Sequence, residues 1–132
     1  VGRKPTLSIL ASYMVKMTSF IDEWQLWNNA GNIDDEKYIF KLQTVYPNFI
    51  KVISKLDRSY PNYGTCCILY HYYKDCIDEN TIYVRIDDDV VFIDIDTFKD
   101  FLQFRIDNPE YFIIYPLLIY LKYSLSLLLP AL

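Results

Sequence analysis

The sequence predicts an α/β fold: a mainly parallel sheet with helices on both faces. Two observations carry this. Strand-like and helix-like patterns alternate along the chain, which is how βαβ units read. Within that alternation, Ile82, Val84 and Ile86 form a β-branched, alternating run that ends in three consecutive carboxylates, Asp87, Asp88 and Asp89, before a second apolar run, Val90 to Ile93. The first run reads as a buried, central strand. Three adjacent like charges repel, so something positive belongs beside them. In open α/β sheets, ligands collect at the carboxyl ends of strands, and that is where the triplet falls.

The elements follow in order. Arg3 and Lys4 are two basic residues near the chain start, and such a pair is more often simply solvated than bound to a ligand. Residues 5–17 predict a helix, with Leu7, Leu10, Met14 and Met17 at helical spacing and Pro5 in its first turn. Phe20 to Trp27 predicts a strand that ends in the loop residues Asn28-Asn29-Ala30-Gly31-Asn32. Asp34 is the expected N-cap of a helix over 37–46, with Tyr38, Ile39, Leu42 and Val45 inward. Phe49 to Ser54 predicts a short strand, LDRSYPNYG a loop, and 65–75 a helix with an aromatic face of Tyr70, Tyr72 and Tyr73. After the central strand, Asp94 or Asp96 caps a helix to about Ile106, which Asp107-Asn108-Pro109 ends. Tyr111 to Tyr115 predicts a further strand.

Composition bounds the function. The 132 residues are 52% hydrophobic and 23% charged, a globular balance sufficient for one core. Net charge is −4 and the isoelectric point about 4.8, which argues against a nucleic-acid partner. The 13 tyrosines could stack on sugars or bases, although a coding bias explains them equally well. Three cysteines, Cys66, Cys67 and Cys76, with His71 one helical turn from Cys67, match no standard zinc spacing. Buried free thiols in a reducing compartment such as the cytoplasm are the better reading. No Gly-rich phosphate loop and no nucleophile elbow is present.

The triplet carries the chemistry. On a strand, alternation puts Asp87 and Asp89 on one side and Asp88 on the other. Two converging carboxylates suit a hard cation such as Mg2+ or Mn2+. A run of Asp is also at home in a solvated turn.

The segment TIYVRIDDDVVFID resembles the DxD region of GT-A-fold glycosyltransferases, and in particular viral and microbial glycosyltransferase-like proteins with a strand–DDD–strand pattern. The resemblance extends upstream to IDEWQLWNNAGN and downstream to FKDFLQFRIDNPEYFIIYP, covering most of the chain. It implies a GT-A-like, Rossmann-type domain over residues 1–116 that binds a nucleotide-sugar donor. It further implies Mn2+ or Mg2+ on Asp89, with Asp87 assisting, and Asp87, Asp88, Arg3, Asn28 and Asn29 about the nucleotide. The acceptor, whether glycan, protein or lipid, is left open, as are the catalytic residues.

From Pro116 the chain departs from that pattern. Residues 117–132 are Leu-rich, with Lys122 the single charge, and leave open a route to membrane association. With Val1 at its start, the chain reads as a piece of a longer protein, truncated at both ends. Two other functions remain: a non-catalytic, degenerate transferase fold acting as an interaction module, and another metal-dependent phosphoryl-transfer enzyme.

Overall fold

A computed structural model describes residues 3–54 and 73–111. These form three helices and a two-stranded parallel sheet, a small α/β arrangement. The chain divides into two units between Ile93 and Asp94.

The first unit opens with α1, Lys4–Met14. No side chain caps it, but the orphan N–H of Lys4 donates to Asp35 Oδ1 at 2.9 Å. Leu7, Leu10, Ala11 and Met14 form its buried face, and Met17, in the turns beyond, is fully buried. Strand β1 is Trp24–Trp27, the last four residues of the predicted strand. Trp24 and Leu26 point inward and Gln25 outward, as a period of two requires.

Helix α2, Ile33–Val45, is the crossover to β2, Ile50–Ile53. The strands pair in parallel, Trp24 opposite Ile50 and Trp27 opposite Ile53. The N-cap of α2 is Asn32 rather than the expected Asp34. The Asn32 carboxamide oxygen accepts from the N–H groups of Asp34 and Asp35 at 3.0 and 2.9 Å. Asp34, Asp35 and Glu36 then fill the first turn, where the helix dipole favours negative charge. Ile39 and Leu42 are buried as predicted, but Val45 is exposed, because the inward face of α2 stops one turn short of its end. The outer edge of β2 is closed: the N–H of Ile50 donates to the Tyr46 carbonyl at 2.8 Å and that of Val52 to Gln43 Oε1 at 2.8 Å.

The predicted central strand is the main correction. Among the described residues the β1–β2 ladder is the only one, and residues 81–94 carry no strand. Val84 is 38% exposed, Ile82 and Tyr83 are exposed as well, and Ile86 is only half-buried. β-Propensity measures fit to a half-buried pleated surface, and without a ladder the same residues gain nothing from it.

In the second unit, α3 spans Ile95–Asp107. Of the two expected caps, Asp94 is the N-cap, its Oδ1 accepting from the Thr97 N–H at 3.0 Å, and Asn108 ends the helix as predicted. Phe98 is buried, Phe101 and Leu102 are half-buried, and Phe104 is exposed. The Phe104 ring stacks on Tyr111 with centroids 6.0 Å apart. Most of the predicted 65–75 helix, the LDRSYPNYG loop, Cys66, Cys67 and His71, residues 112–115 and the Leu-rich tail lie outside the described residues. No helix among the described residues is long and apolar enough to cross a membrane.

These assignments have measurable consequences in urea unfolding. Leu26→Ala, at a fully buried strand position, should cost about 2–5 kcal/mol, whereas Val84→Ala should cost less than about 1 kcal/mol. Asn32→Ala should cost about 1 kcal/mol and keep that cost in high salt, because it removes a hydrogen-bonding cap. Asp34→Ala should lose only the salt-screened dipole contribution of about 0.3–1 kcal/mol. The reverse order would restore Asp34 as the cap.

Candidate functional site

The acidic triplet lies in a turn rather than on a strand. The Val90 N–H donates to the Asp87 carbonyl at 3.4 Å, with Asp88 and Asp89 between them. The alternation argument for placing Asp87 and Asp89 on one side therefore does not apply.

Among the described residues, Arg85 and Arg3 bring positive charge to the triplet. Arg85 closes on Asp87 through Nε at 3.0 Å and Nη2 at 2.9 Å, both to Oδ1. The Asp87 carboxylate holds the Arg85 guanidinium above its ordinary pKa. Arg3 Nη1 lies 3.3 Å from Asp89 Oδ2, joining residues far apart in sequence. Both pairs are largely exposed, so each contributes little to stability. Their effect is on position: Arg3, drawn to the triplet, immediately precedes the first residue of α1, whose N–H is tied to Asp35 in the first turn of α2. Arg3, the triplet and the N-terminal turns of two helices are thus joined through adjacent residues. Since α2 follows β1 directly, this set belongs to the carboxyl end of β1.

The loop after β1 explains Asn28. Its side chain is 8% exposed and turned inward. Oδ1 accepts from the Ala30 N–H at 3.0 Å, and Nδ2 donates to Glu36 Oε1 at 3.0 Å and to Ser54 Oγ at 3.5 Å. It holds the loop to α2 and to the end of β2, while the neighbouring Asn29 is exposed. The structure thus brings Arg3 and Asp89 together, gives Asp87 to Arg85, leaves Asp88 half-buried, and uses the Asn28 amide internally.

Among the described residues no group of three or more His, Cys, Asp or Glu side chains is disposed to hold a metal. Carboxylate oxygens are the donors that Mg2+ and Mn2+ take, and here Asp87 is paired with Arg85 and Asp89 with Arg3. Mg2+ is commonly bound by one or two carboxylates and completes its shell with water and substrate phosphates.

A cleft of about 220 Å3 is lined by Gln25, Trp27, Lys51, Ile53, Asp75, Cys76 and Tyr83. The Tyr73 ring meets Trp27 edge-on at 5.5 Å. Burial, with Asp75 adding, pushes the Cys76 thiol up and so keeps it protonated. The turn leading to the triplet is built by Asp78, whose carboxylate accepts from the Asn80 N–H and the Thr81 hydroxyl, both at 2.9 Å. These bonds lower the Asp78 pKa. They favour the carboxylate, so the turn should be intact above the ordinary carboxylate range and loosen as pH falls through the depressed value. Arg85 and the Trp27–Tyr73–Tyr83 grouping were not legible as site features, since nothing local in sequence signals which side chains a turn will gather.

A double-mutant cycle on Arg3→Gln and Asp89→Asn should give a coupling of about 0.2–1 kcal/mol at low ionic strength, lost in high salt. Zero coupling at low salt would remove the link between the chain start and the triplet.

No family model matches this chain, and comparison with characterised proteins and with solved structures likewise finds no match.

Proposed function

We propose that this chain is the donor-binding part of a metal-dependent glycosyltransferase with a GT-A-like sheet, acting on a nucleoside-diphosphate sugar. The observation that supports it best is the Arg3–Asp89 pair. It sets a guanidinium beside the acidic turn and, through Lys4 and Asp35, next to the loop that follows β1. A donor diphosphate needs a cation at its oxygens and a metal-binding carboxylate within reach. Arg3 and Asp89 have those chemistries and lie together.

In this reading Asp87 and Asp89 hold Mg2+ or Mn2+, which when bound neutralises the charge developing on the leaving diphosphate. Arg3 exchanges Asp89 for a phosphate oxygen, since the guanidinium fork matches both acceptors. Exposed Asn29 is the loop amide available to a base or ribose, and Asp88 orients the turn or meets the ribose. A second reading, a non-catalytic interaction module, is favoured by the exposed apolar side chains of Ile82, Tyr83, Val84, Val91 and Phe92 around the triplet.

Thermal unfolding separates the two. UDP or GDP together with Mn2+ should raise the melting temperature more than either component alone. Ligand at about a hundredfold over its dissociation constant adds roughly 2.7 kcal/mol. Asp89→Asn should abolish that shift and change the ligand-free stability by less than about 1 kcal/mol, because losing the exposed Arg3 pair offsets the relief of repulsion. No shift with either nucleotide plus Mn2+ would favour the interaction module. Loss of folding in Asp89→Asn would make the triplet structural.

A further inference from the structure

Lys37 and Lys41 are four apart on α2 and share a face. The first residue of α1 meets them there: Lys4 Nζ stands over the Tyr38 ring, 6.0 Å from its centroid. Lys4, Lys37 and Lys41, with Tyr38 and Asp34, line a cleft of about 270 Å3. Three ammonium groups face one carboxylate, on a chain whose net charge is −4.

Lysines along an exposed helical face are common and need no ligand. This set differs in two ways. Its third member comes from a different helix, so packing of α1 against α2 assembles it. Of the acids in the first turn of α2, Asp35 accepts from the Lys4 N–H and the Asn32 amide and Glu36 accepts from Asn28, so Asp34 is the one carboxylate of that turn that lines the cleft. None of the three ammonium groups has a carboxylate at ion-pairing distance among the described residues. Burial, with Tyr46 nearby, raises the Tyr38 pKa, so its hydroxyl remains a donor.

We propose that the cleft formed by Lys4, Lys37, Tyr38 and Lys41 is an anion site that takes the phosphate or diphosphate group of a small ligand. Three mobile ammonium donors suit a compact group carrying two or more negative charges, for which lysine acts as a point charge. The site needs neither the acidic triplet nor a metal, so it stands apart from the donor-site reading. A free phosphorylated metabolite and a phosphorylated lipid headgroup present the same chemistry.

The test uses the whole chain in EDTA. Sodium pyrophosphate is titrated at matched ionic strength and followed by amide chemical shifts. Pyrophosphate should shift the amides around Lys4, Lys37 and Lys41. Lys37→Gln and Lys41→Gln should each weaken binding about tenfold, the loss of one charge-assisted hydrogen bond. Lys41→Arg should retain binding, and Lys99→Gln should leave it unchanged. In a parallel arm, phosphatidylcholine vesicles with and without phosphatidylinositol phosphate are sedimented with the protein. Binding that needs the phosphoinositide and both lysines assigns the headgroup as the source; pyrophosphate binding alone assigns a free metabolite. The proposal is overturned if neither probe binds. It is also overturned if binding survives in a Lys37→Gln/Lys41→Gln protein whose circular dichroism and melting temperature match the unsubstituted chain.

Discussion

Two parallel strands cannot be joined by a tight turn, and that constraint organises the first unit. The chain leaving β1 must cross over before β2 can pair, and α2 is that crossing. Strands of four residues hold little on their own, so their inward side chains have to be covered. Leu26 and Ile50 are buried, as are Leu7, Leu10 and Met17 from the N-terminal region and Ile39 from α2. Helix α2 packs on β2 and α1 packs on α2. The free edge this leaves on β2 is blunted by its own connection: Gln43 and Tyr46 take the two N–H groups that would otherwise recruit another strand.

The same crossing sets the electrostatics. Because α2 begins just after β1, its acidic first turn lies at the end of that strand, and the start of α1 is tied to it through Asp35. Arg3 and Lys4 then divide their charges. Arg3 serves the acidic turn at Asp89, and the Lys4 ammonium joins the lysine face of α2. Two adjacent residues thus reach surroundings of opposite charge, one of carboxylates and one of ammonium groups. The Arg3–Asp89 pair contributes little stability, since exposed ion pairs are screened and pay side-chain entropy.

Local order was read well wherever the determining interaction is local. The Asn108 stop of α3 and the choice of its cap between Asp94 and Asp96 are each settled within one turn. The first misreading came where two local solutions compete. Asn32 and Asp34 are both good caps two residues apart, and the longer helix prevails with Asp35 anchored to Lys4, a contact from another helix. Val45 was misplaced because periodicity shows which face is apolar and not how far along the helix the covering layer reaches.

The α/β class, helices α1, α2 and α3 in that order, the β1–β2 pair and the need for positive charge beside Asp87, Asp88 and Asp89 follow from the residues alone. Among the described residues it is the fold that selects the cations which answer that need, Arg85 from two residues away and Arg3 from the far end of the first unit. It also decided that Ile82, Val84 and Ile86 take no place in the ladder. The physical reason is common to both. Helix caps and amphipathic faces are satisfied within a few residues, whereas a strand and an ion pair each require a partner that sequence spacing does not specify.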